Sequence, residues 1–116
     1  MPKDIADGCP VEDALRLLSG KWRLLILFRL LDGPARFNAL QRSLAPVTQK
    51  VLTAALRGLE ADGLVWRRVE ATVPPHVTYG LAEPAQALAP VFDALAAWRL
   101  GRAFDVQNSE RSGVIT

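Results

Sequence analysis

The chain has 116 residues, 50% of them hydrophobic and 22% charged, with one cysteine and a formal net charge of +2. That length suits one ordinary domain with a real core, which excludes a disordered chain and a disulfide scaffold. The longest apolar run, Leu24 to Leu31, is interrupted by Arg29 and falls far short of the ~20 residues a bilayer crossing needs, and no apolar stretch of the secretory kind follows Met1, so a cytoplasmic, reducing setting without a membrane partner is expected.

Cys9-Pro10 opens the first periodic stretch, in which Val11, Ala14, Leu15 and Leu18 recur at helical spacing and Pro10 suits the first turn; Ser19-Gly20 ends it. Trp22 to Leu31 is apolar almost all round, which predicts a helix buried on several sides, stopped by Asp32-Gly33-Pro34. A short helix is expected over about Phe37 to Leu44, with Phe37, Leu40 and Leu44 on one face. After the turn Ala45-Pro46-Val47, Thr48 is a good N-cap for a helix reaching about Asp62, and Gly63 stands where a left-handed C′ residue belongs. In that helix Leu52, Ala55, Leu56 and Leu59 form an inward stripe, while Gln49, Lys50, Thr53 and Arg57 lie opposite.

Leu64 to Val69 and Val77 to Leu81 read as two strands of a hairpin joined through Ala71-Thr72-Val73-Pro74-Pro75-His76. From Pro84 to about Phe104 the pattern is helical, with Leu88, Val91, Phe92, Leu95 and Trp98 as its apolar residues; Pro90 is tolerated near a first turn and kinks the helix elsewhere. One domain over residues 9–104 is expected, with flexible tails at 1–8 and 105–116.

The order of these elements predicts a mainly α fold with a small β-hairpin wing. The expected architecture is a winged helix-turn-helix whose N- and C-terminal helices extend the core for dimerisation. Charge follows the same map. Residues 1–35 carry five basic and five acidic side chains, residues 36–68 six and two, and residues 69–116 three and five. A basic middle third is the asymmetry of a face that meets a polyanion, although a solvated basic helix gives the same pattern.

The ordered set Cys9-Pro10, Gly20-Lys21-Trp22, Arg36-Phe37, Leu52-Thr53, Leu56-Arg57, Leu59-Glu60, Asp62-Gly63-Leu64, Pro74-Pro75, Tyr79 and Trp98 resembles the HxlR-type transcriptional regulators of bacteria, over about residues 9 to 100. The resemblance implies a homodimeric DNA-binding regulator, dimerised by its terminal helices, of a kind that in some members responds to small reactive molecules. Where the family usually has Leu-Thr-x-x-Gly after the wing, this chain reads Leu81-Ala82-Glu83-Pro84-Ala85. That removes a Thr cap and a glycine from the start of the last helix, and Glu83-Pro84 offers a substitute.

Double-stranded DNA is the expected partner. Thr48, Gln49, Lys50, Thr53 and Arg57 are the candidate contacts of the recognition helix. Arg36 and Arg42 are candidates to clamp the backbone beside it, and Arg67, Arg68 and His76 to reach phosphate or minor groove from the wing. Strand alternation sends Arg67 and Arg68 to opposite faces, so at most one of them can serve. Each of these side chains would also be at home as ordinary surface charge. Val11, Leu15, Leu88, Leu95 and Trp98 are the candidate dimer seam, because the terminal helices carry more apolar surface than one small core can cover.

Cys9 is the candidate sensor: at a helix N-terminus, unpaired N–H groups and the dipole favour a thiolate, against the opposing charges of Asp7, Glu12 and Asp13. A buried, inert thiol is the plain alternative. One histidine and one cysteine far apart, with no glycine-rich phosphate loop, offer neither metal-ligand spacing nor a catalytic pattern, so no enzyme activity, metal or cofactor is expected. The competing reading is a winged-helix protein–protein module without specific DNA binding.

Overall fold

The computed structural model describes residues 8–112, and the side chains of residues 8–101. Residues 1–7 and 113–116, most of the expected tails, lie outside it. The chain forms two compact units, one ending at Gln86 and one beginning at Ala87.

In the first unit α1 (Pro10–Leu18), α2 (Lys21–Leu30), β1 (Ala35–Arg36), α3 (Phe37–Ser43) and α4 (Gln49–Ala61) precede β2 (Val65–Glu70), β3 (His76–Leu81) and the single turn α5 (Glu83–Gln86). Thr48 caps α4 as expected, its Oγ1 accepting the Val51 N–H at 3.1 Å. At the other end Gly63, at φ +77°, lets its own N–H reach the Glu60 carbonyl and the Leu64 N–H reach the Leu59 carbonyl, the paired closure that only a left-handed residue allows cheaply. Inside, the side chains of Ile26 and Leu27 from α2, Leu40 from α3, and Leu52, Leu56 and Leu59 from α4 are fully buried. Each such side chain contributes about 1.5–3 kcal/mol on leaving water, so this six-residue centre fixes α4 against α2 and α3.

One expectation is extended and two are corrected. The expected hairpin is present, β2 and β3 pairing antiparallel from Val65 opposite Leu81 to Glu70 opposite His76, and β1 adds a third strand beside β3, Ala35 opposite Tyr79 and Arg36 opposite Thr78, giving the order β1-β3-β2. Two residues are too few to show strand alternation, so β1 leaves no periodic trace. Helix α2 is not buried on several sides: at helical spacing Ile26, Leu27 and Leu30 share one buried face, while Leu25 and Phe28 on the other side are exposed.

The last correction concerns the C-terminal helix, which does not run unbroken from Pro84. A turn at Ala87-Leu88 separates α5 from α6 (Ala89–Ser112), the helix of the second unit. Pro90 explains the break, since it has no N–H to give the carbonyl four residues back and its ring collides there, so it is accommodated in a new first turn. Leu88 therefore precedes α6, and its carbonyl accepts the Phe92 N–H at 3.0 Å. Helix α6 continues eight residues beyond Phe104, to Ser112, where a loose tail from residue 105 was expected. Glu83-Pro84 does open a helical turn after the wing: Ala85 is fully buried, and the Ala82 carbonyl accepts from the Ala85 and Gln86 N–H groups.

Candidate nucleic-acid interface

The polar N-terminal half of α4 forms one wall of a groove of about 780 Å³. Gln49, Thr53 and Arg57 come from α4, Arg36 and Arg42 from β1 and α3, Arg67 from β2, and His76 from the start of β3. Seven candidates scattered over forty-one positions of sequence thus share one concavity. Thr48 and Lys50 lie beside it, on a shallower depression that Gln49, Thr53 and Arg57 also border.

The sheet register decides between the two wing arginines. Arg67 stands opposite Tyr79, on the face that carries Val65 and Leu81 inward and ends at the groove. Arg68 stands opposite Thr78 on the other face, with its guanidinium carbon 5.2 Å from the centre of the Trp66 ring. The indole in turn lies against Gly80, where a Cβ would overlap it. The register thus turns Arg68 away from the groove, where it lies over the Trp66 ring, and of the two only Arg67 joins the cluster.

Electrostatically the groove is unbalanced. Arg36 is within 3.4 Å of Glu70, whereas Arg42, Arg57 and Arg67 form no ion pair among the described residues. Glu60 is the acidic side chain lining the groove. Three guanidiniums without a salt bridge, one on α4 and two beside it, exceed the single Glu60 carboxylate, and with the amide and hydroxyl groups of α4 they are suited to phosphate oxygens and base edges together. Asn38, Glu60 and Tyr79 also line the groove and were not among the contacts expected from sequence; tertiary packing brings them there, and the pairing of Tyr79 with Arg67 needs the strand register.

Cys9 is the N-cap of α1 and accepts the Asp13 N–H on its carbonyl at 2.9 Å, but its side chain caps nothing and is 7% exposed. No group of three or more potential metal ligands occurs among the described residues. No helix among them is long and apolar enough to cross a membrane.

An HxlR-like helix-turn-helix family model matches residues 17–104, which takes in α4, the groove and the wing. The chain belongs to that family. A Bacillus subtilis relative, the HTH-type transcriptional regulator YdeP, is 42% identical over 95 residues, spanning 82% of this chain and 74% of YdeP. Among solved structures, the redox regulator HypR in its reduced form superposes with a TM-score of 0.78 at 37% identity, covering 85% of this chain and 98% of HypR. The reduced transcriptional regulator YodB of B. subtilis superposes with a TM-score of 0.70 at 38% identity, covering 78% and 90%. This HxlR-like protein is a DNA-binding transcriptional regulator with a winged-helix fold.

Proposed function

We propose that the regulator binds a two-fold DNA site as a homodimer, each α4 entering a major groove while the wing lies along the neighbouring backbone. The observation that carries this reading is the groove itself, in which Arg42, Arg57 and Arg67, none of them in a salt bridge among the described residues, stand together with Gln49 and Thr53 of α4. Gln49, Lys50, Thr53 and Arg57 are the base or phosphate contacts of the helix, Thr48 its cap, and Arg36, Arg42, Arg67 and His76 flank the backbone. The apolar faces of α1 and α6, with Val11, Leu15, Leu95 and Trp98, carry the dimer seam, and Leu88 adjoins it.

A thiol-reactive small molecule is the proposed effector, acting at Cys9. Support comes from the position of Cys9 at the start of α1 and from the similarity to HypR, a redox regulator. With no second cysteine in the chain, an adduct, a mixed disulfide with a small thiol and a bridge between subunits are the available products.

The test is titration with genomic fragments at two salt concentrations, followed by footprinting. Expected are sequence-selective binding that weakens steeply with salt, and two protected half-sites one helical turn, or a multiple of it, apart. Salt-independent or unselective binding would instead favour a protein–protein module. Regulation by transcription-factor chemistry alone, without catalysis, is the accompanying expectation.

A further inference from the structure

Arg23 takes no part in the groove, and local helix chemistry does not account for it. It lies in the first turn of α2, where a cation opposes the positive end of the helix dipole. Its surroundings supply the reason. Nη1 donates one hydrogen bond to the Leu17 carbonyl oxygen at 2.6 Å and another to Asp62 Oδ2 at 2.7 Å. Leu17 is in the last turn of α1, where carbonyls lack a donor within the helix, and Asp62 is the C-cap of α4. One guanidinium, on a side chain 21% exposed, therefore serves the C-terminal ends of two helices, where both dipoles favour a positive charge.

The fit against α4 depends on Gly58. A Cβ at that position would overlap the Arg23 guanidinium. Glycine inside a helix weakens it relative to alanine, so α4 accepts a local penalty at the place where Arg23 lies against its backbone.

We infer that Arg23 is a positioning residue for DNA recognition. Seated on Gly58 and bonded to Asp62 and Leu17, it ties the C-terminal end of α4 to α1 and α2, and so sets the angle at which Gln49, Lys50, Thr53 and Arg57 are presented. The lever is long: α4 has 13 residues, about 20 Å, so a tilt of about 5° at its C-terminal end moves its N-terminus by about 1.7 Å. A displacement of that size breaks hydrogen bonds to base edges while leaving less directional attraction to phosphates in place. The inference rests on the DNA-binding reading above.

The experiment compares wild type, Arg23→Met, Gly58→Ala and the double variant on a duplex selected by the wild-type protein from a random library and on a scrambled duplex. Each single variant is expected to bind the selected duplex about tenfold more weakly, with the double variant no worse than either, because both changes remove one contact. Affinity for the scrambled duplex and the slope against salt should not change, since no phosphate contact is lost. Gly58→Ala improves helix propensity, so a thermal midpoint at or above wild type, together with lost selectivity, marks a misplaced helix and not an unfolded one. Unchanged selectivity, additive losses, or equal losses on both duplexes accompanied by a lower midpoint would overturn the inference. Absence of selective binding by the wild-type protein would overturn the DNA-binding reading and this inference with it.

Discussion

Thr48, Lys50 and Arg57 share one helix but do different physical work, and their alanine variants should separate. Thr48→Ala removes the acceptor for the Val51 N–H and should cost about 1 kcal/mol of stability by urea unfolding. Lys50→Ala and Arg57→Ala leave the core untouched, so their effects should appear in DNA binding. A loss of about 1–3 kcal/mol confined to certain base pairs marks a base reader, while a uniform loss with a salt slope smaller by about one marks a phosphate contact. Unchanged footprints and slopes in both variants would remove α4 from the interface. Cys9 calls for a different measurement because it does not line the groove and is buried at the start of α1. Diamide accepts two hydrogens as Cys9 and a small thiol join in a mixed disulfide, or as two Cys9 thiols join across the dimer. DNA affinity should then change in wild type and not in Cys9→Ser; equal responses would dismiss the thiol.

At the scale of elements, the legible parts of the fold were those with a local chemical signature. Helix α4 could be bounded from sequence because Thr48, the spacing of Leu52, Leu56 and Leu59, and Gly63 each mark one of its features, and all three signals act as read. Strand β1 was missed because its definition is non-local: two residues become a strand only by pairing with Thr78 and Tyr79, over forty positions away. The same holds for the groove. Alternation alone separated Arg67 from Arg68, but which of them meets the groove depended on β3, and the contributions of Asn38, Glu60 and Tyr79 came from packing. Arg23 was passed over because its partners, Leu17 and Asp62, are invisible to helical periodicity. Within the wing, Gly80 makes room for the Trp66 indole over which Arg68 lies. Gly80→Ala should therefore destabilise the protein by about 1–3 kcal/mol through overpacking, measured by urea unfolding. Trp66→Val in the same chain should recover part of that loss, and failure to recover any would mean that the indole is not the obstacle.

For the whole molecule, the decisive feature is apolar surface left over after each unit has folded. Helix α1 buries none of its residues, and Val11 and Leu15, one turn apart, are 66% and 64% exposed. On α6, Val91, Leu95 and Trp98 follow at helical spacing, all exposed, with Trp98 at 59%. Burying apolar area releases about 25 cal/mol per Å², so a second copy covering these faces is worth several kcal/mol, more than most surface contacts provide. Leu15→Glu and Trp98→Glu should each shift the protein toward monomer at micromolar concentration in sedimentation, because a carboxylate would have to lose its water in the seam. Dissociation also has a signature on DNA. A monomer neutralises the phosphates of one half-site where a dimer neutralises those of two, so the slope of log affinity against log salt should fall to about half. Footprints should shrink to one half-site in the same variants, while their thermal unfolding as monomers stays cooperative. Variants that remain dimeric, with the wild-type slope and both half-sites protected, would place the seam on some other surface than α1 and α6.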